Sequence, residues 1–101
     1  MILVYITLNN MEEGQRLARH LIERKLTNCV NFIPIICTYV WEGKVTTEPE
    51  VVALVKTREQ CFEPIAAAVR ELVSYTNFVG QIEVEKVNEP FASWLDQVVQ
   101  A

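Results

Sequence analysis

Six polar side chains stand inside or at the ends of otherwise apolar stretches: Asn31, Tyr39, Glu50, Lys56, Arg58 and Tyr75. Lys56 and Arg58 follow the five apolar residues Val51 to Val55. A cation in such a place is either paired with a carboxylate or held ready for an anion, because an unpaired charge out of water is costly. Glu50 is the candidate counter-charge. Tyr39 and Tyr75 bring hydroxyls, Asn31 an amide that donates and accepts, and Trp41 a large amphipathic ring suited to a subunit boundary or a ligand wall. If these cations are paired, the set is structural; if one is left unpaired, the chemistry open to it is the binding of a small anion.

Other motifs are sparse. His20, the single histidine, falls on the polar side of a helical segment with no nucleophile or metal-ligand partner nearby in sequence, and reads as solvated. Gly14, Gly43 and Gly80 are isolated, so no glycine-rich phosphate cradle exists, and no His pair or His-Cys cluster has zinc-ligand spacing. Cys29, Cys37 and Cys61 are an odd number without Cys-x-x-Cys spacing. Free thiols in a reducing compartment are expected. Cys29 and Cys37 share strand parity, but eight residues of strand place them roughly 26 Å apart, too far to hold one ion within a chain. These features predict a protein that is not an enzyme and requires no cofactor.

The elements that must position these residues follow from periodicity. Met1 to Leu8 alternates as a strand with both faces apolar, Asn10 and Glu13 have capping-box spacing, and a helix is expected to about Lys25 with Leu17, Ala18, Leu21 and Ile22 on its buried stripe. Cys29 to Thr57 reads as a long hairpin turning at Trp41-Glu42-Gly43-Lys44, where Gly43 supplies a positive φ. Pro34 belongs at a sheet edge or a bulge, and Glu48-Pro49-Glu50 predicts a bulge in the second arm. A helix starting near Gln60, a loop from Ser74 to Gly80, a strand over Gln81 to Val87 with Ile82 and Val84 inward, and a final helix with Phe91, Trp94, Leu95 and Val98 on one face complete the chain. The order β-α-β-β-α-β plus a C-terminal helix is the ferredoxin-like α+β class. Both faces of the hairpin arms are apolar, and one helical layer covers only one of them, which predicts an oligomer sealed by copies of the chain.

Residues 1–101 are expected to form one domain, burying roughly 65% of the unfolded chain's surface. Nine basic against thirteen acidic residues, net charge -4, give no basic face for nucleic acid. The apolar runs are strand-length, and the start lacks a signal-peptide pattern, so a cytoplasmic protein without a membrane role is expected.

Cys29-Val30-Asn31, Tyr39-Val40-Trp41-Glu42-Gly43-Lys44, Lys56-Thr57, Tyr75 and Trp94-Leu95 together resemble the CutA family across nearly the whole chain. The resemblance implies a ferredoxin-like homotrimer with long hairpins reaching to neighbours, architectural kinship with PII-type signalling proteins, and a link to tolerance of divalent cations, copper above all. Where the family commonly reads His-Pro-Tyr-x-x-Pro, this chain has Val73-Ser74-Tyr75-Thr76-Asn77-Phe78, and Ile6 stands where some members place a cysteine. Two readings follow. In the first, a non-catalytic trimer with a signalling or carrier role binds a small ligand between subunits through Lys56, Glu50, Trp41, Tyr75, Tyr39 and Asn31. In the second, it binds Cu²⁺ or another divalent cation directly through Cys29 and carboxylates of adjacent chains. An acyl-phosphate hydrolase would need an anion-cradling loop that this sequence lacks.

Overall fold

A computed structural model describes residues 1–99. Along the chain run β1 (Ile2–Leu8), α1 (Met11–Glu23), β2 (Cys29–Trp41), β3 (Lys44–Thr57), a 3-10 turn at Glu59–Cys61 leading into α2 (Phe62–Leu72), β4 (Val79–Glu83) and α3 (Glu89–Asp96). The strands make one antiparallel sheet in the order β2-β3-β1-β4, the ferredoxin-like arrangement.

Alternation in β1 sends Ile2, Val4, Ile6 and Leu8 into the core with Leu17 and Leu21 of α1 and Ile65, Ala68 and Val69 of α2. Both helices therefore cover one face. Leu3, Tyr5 and Thr7 on the other face are only half-buried, which corrects the expectation that both faces of β1 are buried in a single chain. Ile22, placed on the buried stripe by spacing, is exposed.

At the start of α1, Asn10 Oδ1 accepts the Glu13 N–H at 2.9 Å. The expected capping box closes differently, since the Glu13 carboxylate accepts from Asn9 N–H rather than from Asn10. The helix ends at Glu23, two residues before the expected Lys25. Lys25 instead adopts a left-handed φ of 59°, with bonds from Lys25 N–H to the Ile22 carbonyl and from Leu26 N–H to the Leu21 carbonyl. This is a Schellman stop built on lysine where glycine is usual.

The hairpin pairs one-to-one from Cys29↔Lys56 to Trp41↔Lys44. Its two central turn residues, Glu42 and Gly43, have φ of 50° and 77°, the requirement of a type I′ turn. No bulge interrupts Glu48-Pro49-Glu50, contrary to the sequence expectation. β1 ends opposite Val51, so Pro49 lies where β3 has a single neighbour and its missing donor leaves the ladder intact. Pro34 lies on β2, an edge strand, as expected. Residues 35–50 project past the sheet and stretch the molecule to 46 × 26 × 20 Å.

β4 starts at Val79 and ends at Glu83, displaced from the expected Gln81–Val87. Ile82 pairs with Leu3 and so lies on the face without helices, exposed rather than inward. The expected apolar face of the final helix is split: Leu95 joins the core and Phe91 packs against it, with Val99 beyond α3 also buried, whereas Trp94 stays exposed. Among the described residues no helix is long and apolar enough to cross a membrane.

Candidate ligand-binding site

Two buried threonines fix the backbone beneath Lys56. Thr57 Oγ1 donates to the Leu26 carbonyl at 2.5 Å, and Thr27 Oγ1 donates to the Lys56 carbonyl at 2.6 Å. The Lys56 side chain emerges on the helix-free face opposite Cys29 and Leu3. Its Nζ lies 3.6 Å from Cys29 Sγ and 5.2 Å from the centre of the Phe91 ring.

Two cations that look alike in sequence thus separate. Arg58 donates through Nε and Nη2 to Asp96 Oδ1 at 3.0 and 2.8 Å, holding α3 to the end of β3. Among the described residues Lys56 makes no ion pair with a carboxylate. Its positive charge is available.

Tyr75 sits at the opposite end of β1. Its hydroxyl donates to Glu13 Oε1 at 2.6 Å and accepts from Asn9 N–H at 3.1 Å. Partial burial holds the Tyr75 hydroxyl above the ordinary tyrosine range, helped by the bond to Glu13 and the charges of Glu13 and Glu50, against a lowering by Asn9 N–H. Glu13 escaped the sequence reading as a site residue, although its spacing from Asn10 marked it as a capping group. Tyr39 and Cys37 share the helix-free face with Glu48 and Glu50. Both are shifted up by desolvation, and further by those two carboxylates.

Parity therefore puts Cys29, Asn31, Tyr39, Trp41, Glu50 and Lys56 on one face of the sheet. They form three stations. Cys29, Asn31 and Lys56 lie at the base, Glu50 with Tyr75 near the point where the hairpin leaves the sheet, and Tyr39 and Trp41 toward the tip, opposite Thr46 and Lys44. Glu50 is six β3 residues from Lys56 and six from Lys44, about 20 Å in each direction at about 3.3 Å per residue. One protomer does not gather them.

A metal centre at Cys29 does not fit one protomer. Among the described residues no three His, Cys, Asp or Glu side chains are close enough to hold an ion. The neighbour of Cys29 is an ammonium, which repels a cation. His20 is less solvated than its sequence position indicates: Nε2 is buried without a hydrogen bond, 3.9 Å from Glu71 Oε2, while Glu71 pairs with Arg24 at 3.2 Å. This arrangement ties α1 to α2 on the outer surface and is remote from the sheet face.

Comparison with known proteins places the fold in a family. The family model described as CutA1 divalent ion tolerance protein matches residues 2–98. The divalent-cation tolerance protein CutA of Archaeoglobus fulgidus is 37% identical over 98 residues, covering 96% of each chain. Its solved structure, described as a periplasmic divalent cation tolerance protein, superposes with a TM-score of 0.93 over 99% of this chain and 100% of that one, at 36% identity. A PII-like protein CutA from Nostoc, solved in apo form, gives a TM-score of 0.80 at 30% identity, covering 97% of this chain and 93% of that one.

Proposed function

The chain belongs to the CutA1 divalent ion tolerance family, and from that footing we propose that it works as a non-catalytic, PII-like homotrimer of the cytoplasm. It binds a small anionic or zwitterionic ligand in clefts between subunits, in a signalling or carrier role connected with the response to divalent metal ions. Lys56 is the cation, Glu50 the counter-charge, Trp41 and Tyr75 the walls, and Tyr39 and Asn31 the polar contacts. Three thiols, none of them in a disulfide, support a reducing compartment.

One observation carries this reading: the projecting hairpin is bare on both faces. Ile36, Val40, Trp41 and Val45 are 72, 69, 61 and 77% exposed. Covering such side chains contributes about 1.5–3 kcal/mol each. Four together match the margin of about 5–15 kcal/mol that holds a domain folded. Neighbouring copies are the natural cover, and a hairpin reaching across a neighbour also brings stations from different chains together.

Direct copper or divalent-cation binding through Cys29 must recruit every further ligand from adjacent chains. Calorimetry on the assembled protein separates the two readings, with copper and zinc titrated in one arm and a panel of small metabolite anions in the other. A saturable metabolite with one site per chain, and metal heats no larger than for a denatured control, is the expected result. Tight stoichiometric metal binding with no metabolite bound would overturn the ligand reading.

A further inference from the structure

Lys56 is not the sole free cation at its end of the sheet. It shares with Lys86 an open groove of about 300 Å³ walled by Leu3, Val84, Val87 and Phe91, with Asn88 at its rim. No carboxylate lines this groove, and neither lysine takes part in an ion pair among the described residues. In a chain with an excess of acidic residues, two unneutralised ammonium groups facing one apolar hollow are a specific placement.

The groove is built, not merely open. The Val84 N–H bonds to the Met1 carbonyl at 3.1 Å, anchoring the segment that carries Lys86 against β1. The Phe91 ring is held edge-on by Trp94, with centres 5.5 Å apart and planes at 88°. Thr27 and Thr57 clamp the backbone on either side of the Lys56 side chain. The Asn88 side chain makes no capping bond to α3, which leaves its amide free to meet a ligand.

We infer that this groove takes a small organic anion, its carboxylate or phosphate held between Lys56 and Lys86 and its apolar body laid against Phe91. Charge-assisted hydrogen bonds from ammonium groups are stronger than neutral ones, and the apolar walls favour a hydrophobic body. The apolar wall offered by Phe91 matches a body of roughly one aromatic ring. The inference rests on Lys56 as the ligand's cation, as proposed above, and adds Lys86 and Phe91 of the same chain to that site.

Phenyl phosphate is the probe, with phenol and inorganic phosphate as its two halves, titrated into the assembled protein and followed by amide NMR shifts and calorimetry. Saturable shifts at Leu3, Lys56 and Val84 to Phe91 are expected, with each half binding at least tenfold more weakly than the whole. Lys56→Gln should weaken phenyl phosphate at least tenfold, as loss of a hydrogen bond to a charged group requires. Lys56→Arg should recover part of that loss. Lys86→Gln, at an exposed position that does not threaten folding, should weaken binding severalfold. Equal affinity in wild type and both Gln variants, or phenol binding as tightly as phenyl phosphate, overturns the inference. Shifts confined to the surroundings of Tyr75 and Glu50 would remove this groove while leaving a small-ligand function standing. An absence of binding by every metabolite anion as well would remove both.

Discussion

Lys56 and Cys29 face each other at directly opposed positions of β3 and β2, with the ammonium 3.6 Å from the thiol sulfur. The thiol is thereby committed to a cation as its neighbour, in a setting that disfavours a metal ion. Cys29→Ser is expected to leave copper and zinc uptake unchanged in stoichiometry and affinity. Loss of one bound metal per chain in that variant would return Cys29 to the role of ligand.

Thr57→Val tests the clamp that positions Lys56. The substitution keeps shape but removes the only side-chain donor to the Leu26 carbonyl described for this position, in a fully buried setting. A loss of about 1–3 kcal/mol is expected from an orphaned buried acceptor. Chemical denaturation would read it as a lower midpoint at unchanged slope. A variant as stable as wild type would mean that water or another donor serves that carbonyl.

Tyr75 gives the fold a defined pH dependence. Its folded-state pKa lies above the unfolded value of about 10, first through burial and then through the hydrogen bond to Glu13. The folded state thus prefers the protonated phenol. Its contribution is complete below about pH 10 and lost as pH rises from there toward the folded value. Tyr75→Phe should cost about 1 kcal/mol near neutrality, because Asn9 N–H keeps its bond to Glu13. Its melting-temperature deficit against wild type should be constant from about pH 6 to 9 and shrink above 10. A deficit that holds or grows at high pH contradicts the assignment.

The hairpin was legible because one tetrapeptide, Trp41-Glu42-Gly43-Lys44, joins two alternating apolar arms, and type I′ geometry suits a glycine at its second central position. The end of α1 was not legible, since the left-handed stop falls on Lys25, a residue with no preference for that conformation. β4 was misplaced for a related reason. Gly80 reads as a strand breaker, yet it is a strand residue on which the Phe78 ring rests: a Cβ there would lie 2.5 Å from that ring, which packs edge-on against Tyr5. The inward direction of Ile82 depended on register with Leu3, a long-range fact that alternation alone does not contain. At the site, Lys56 and Arg58 carry the same signal in sequence. Asp96, distant in the chain, neutralises one and leaves the other free.

Whether copies of the chain cover the bare hairpin is read by sedimentation equilibrium from tens of micromolar down to nanomolar concentration, run beside a Val40→Lys, Val45→Lys double variant. A wild-type particle of about 35 kDa, three times the 11.6 kDa chain, is expected across the dilution series, with a variant that dissociates within it. A folded wild-type protein of 11.6 kDa throughout would contradict it.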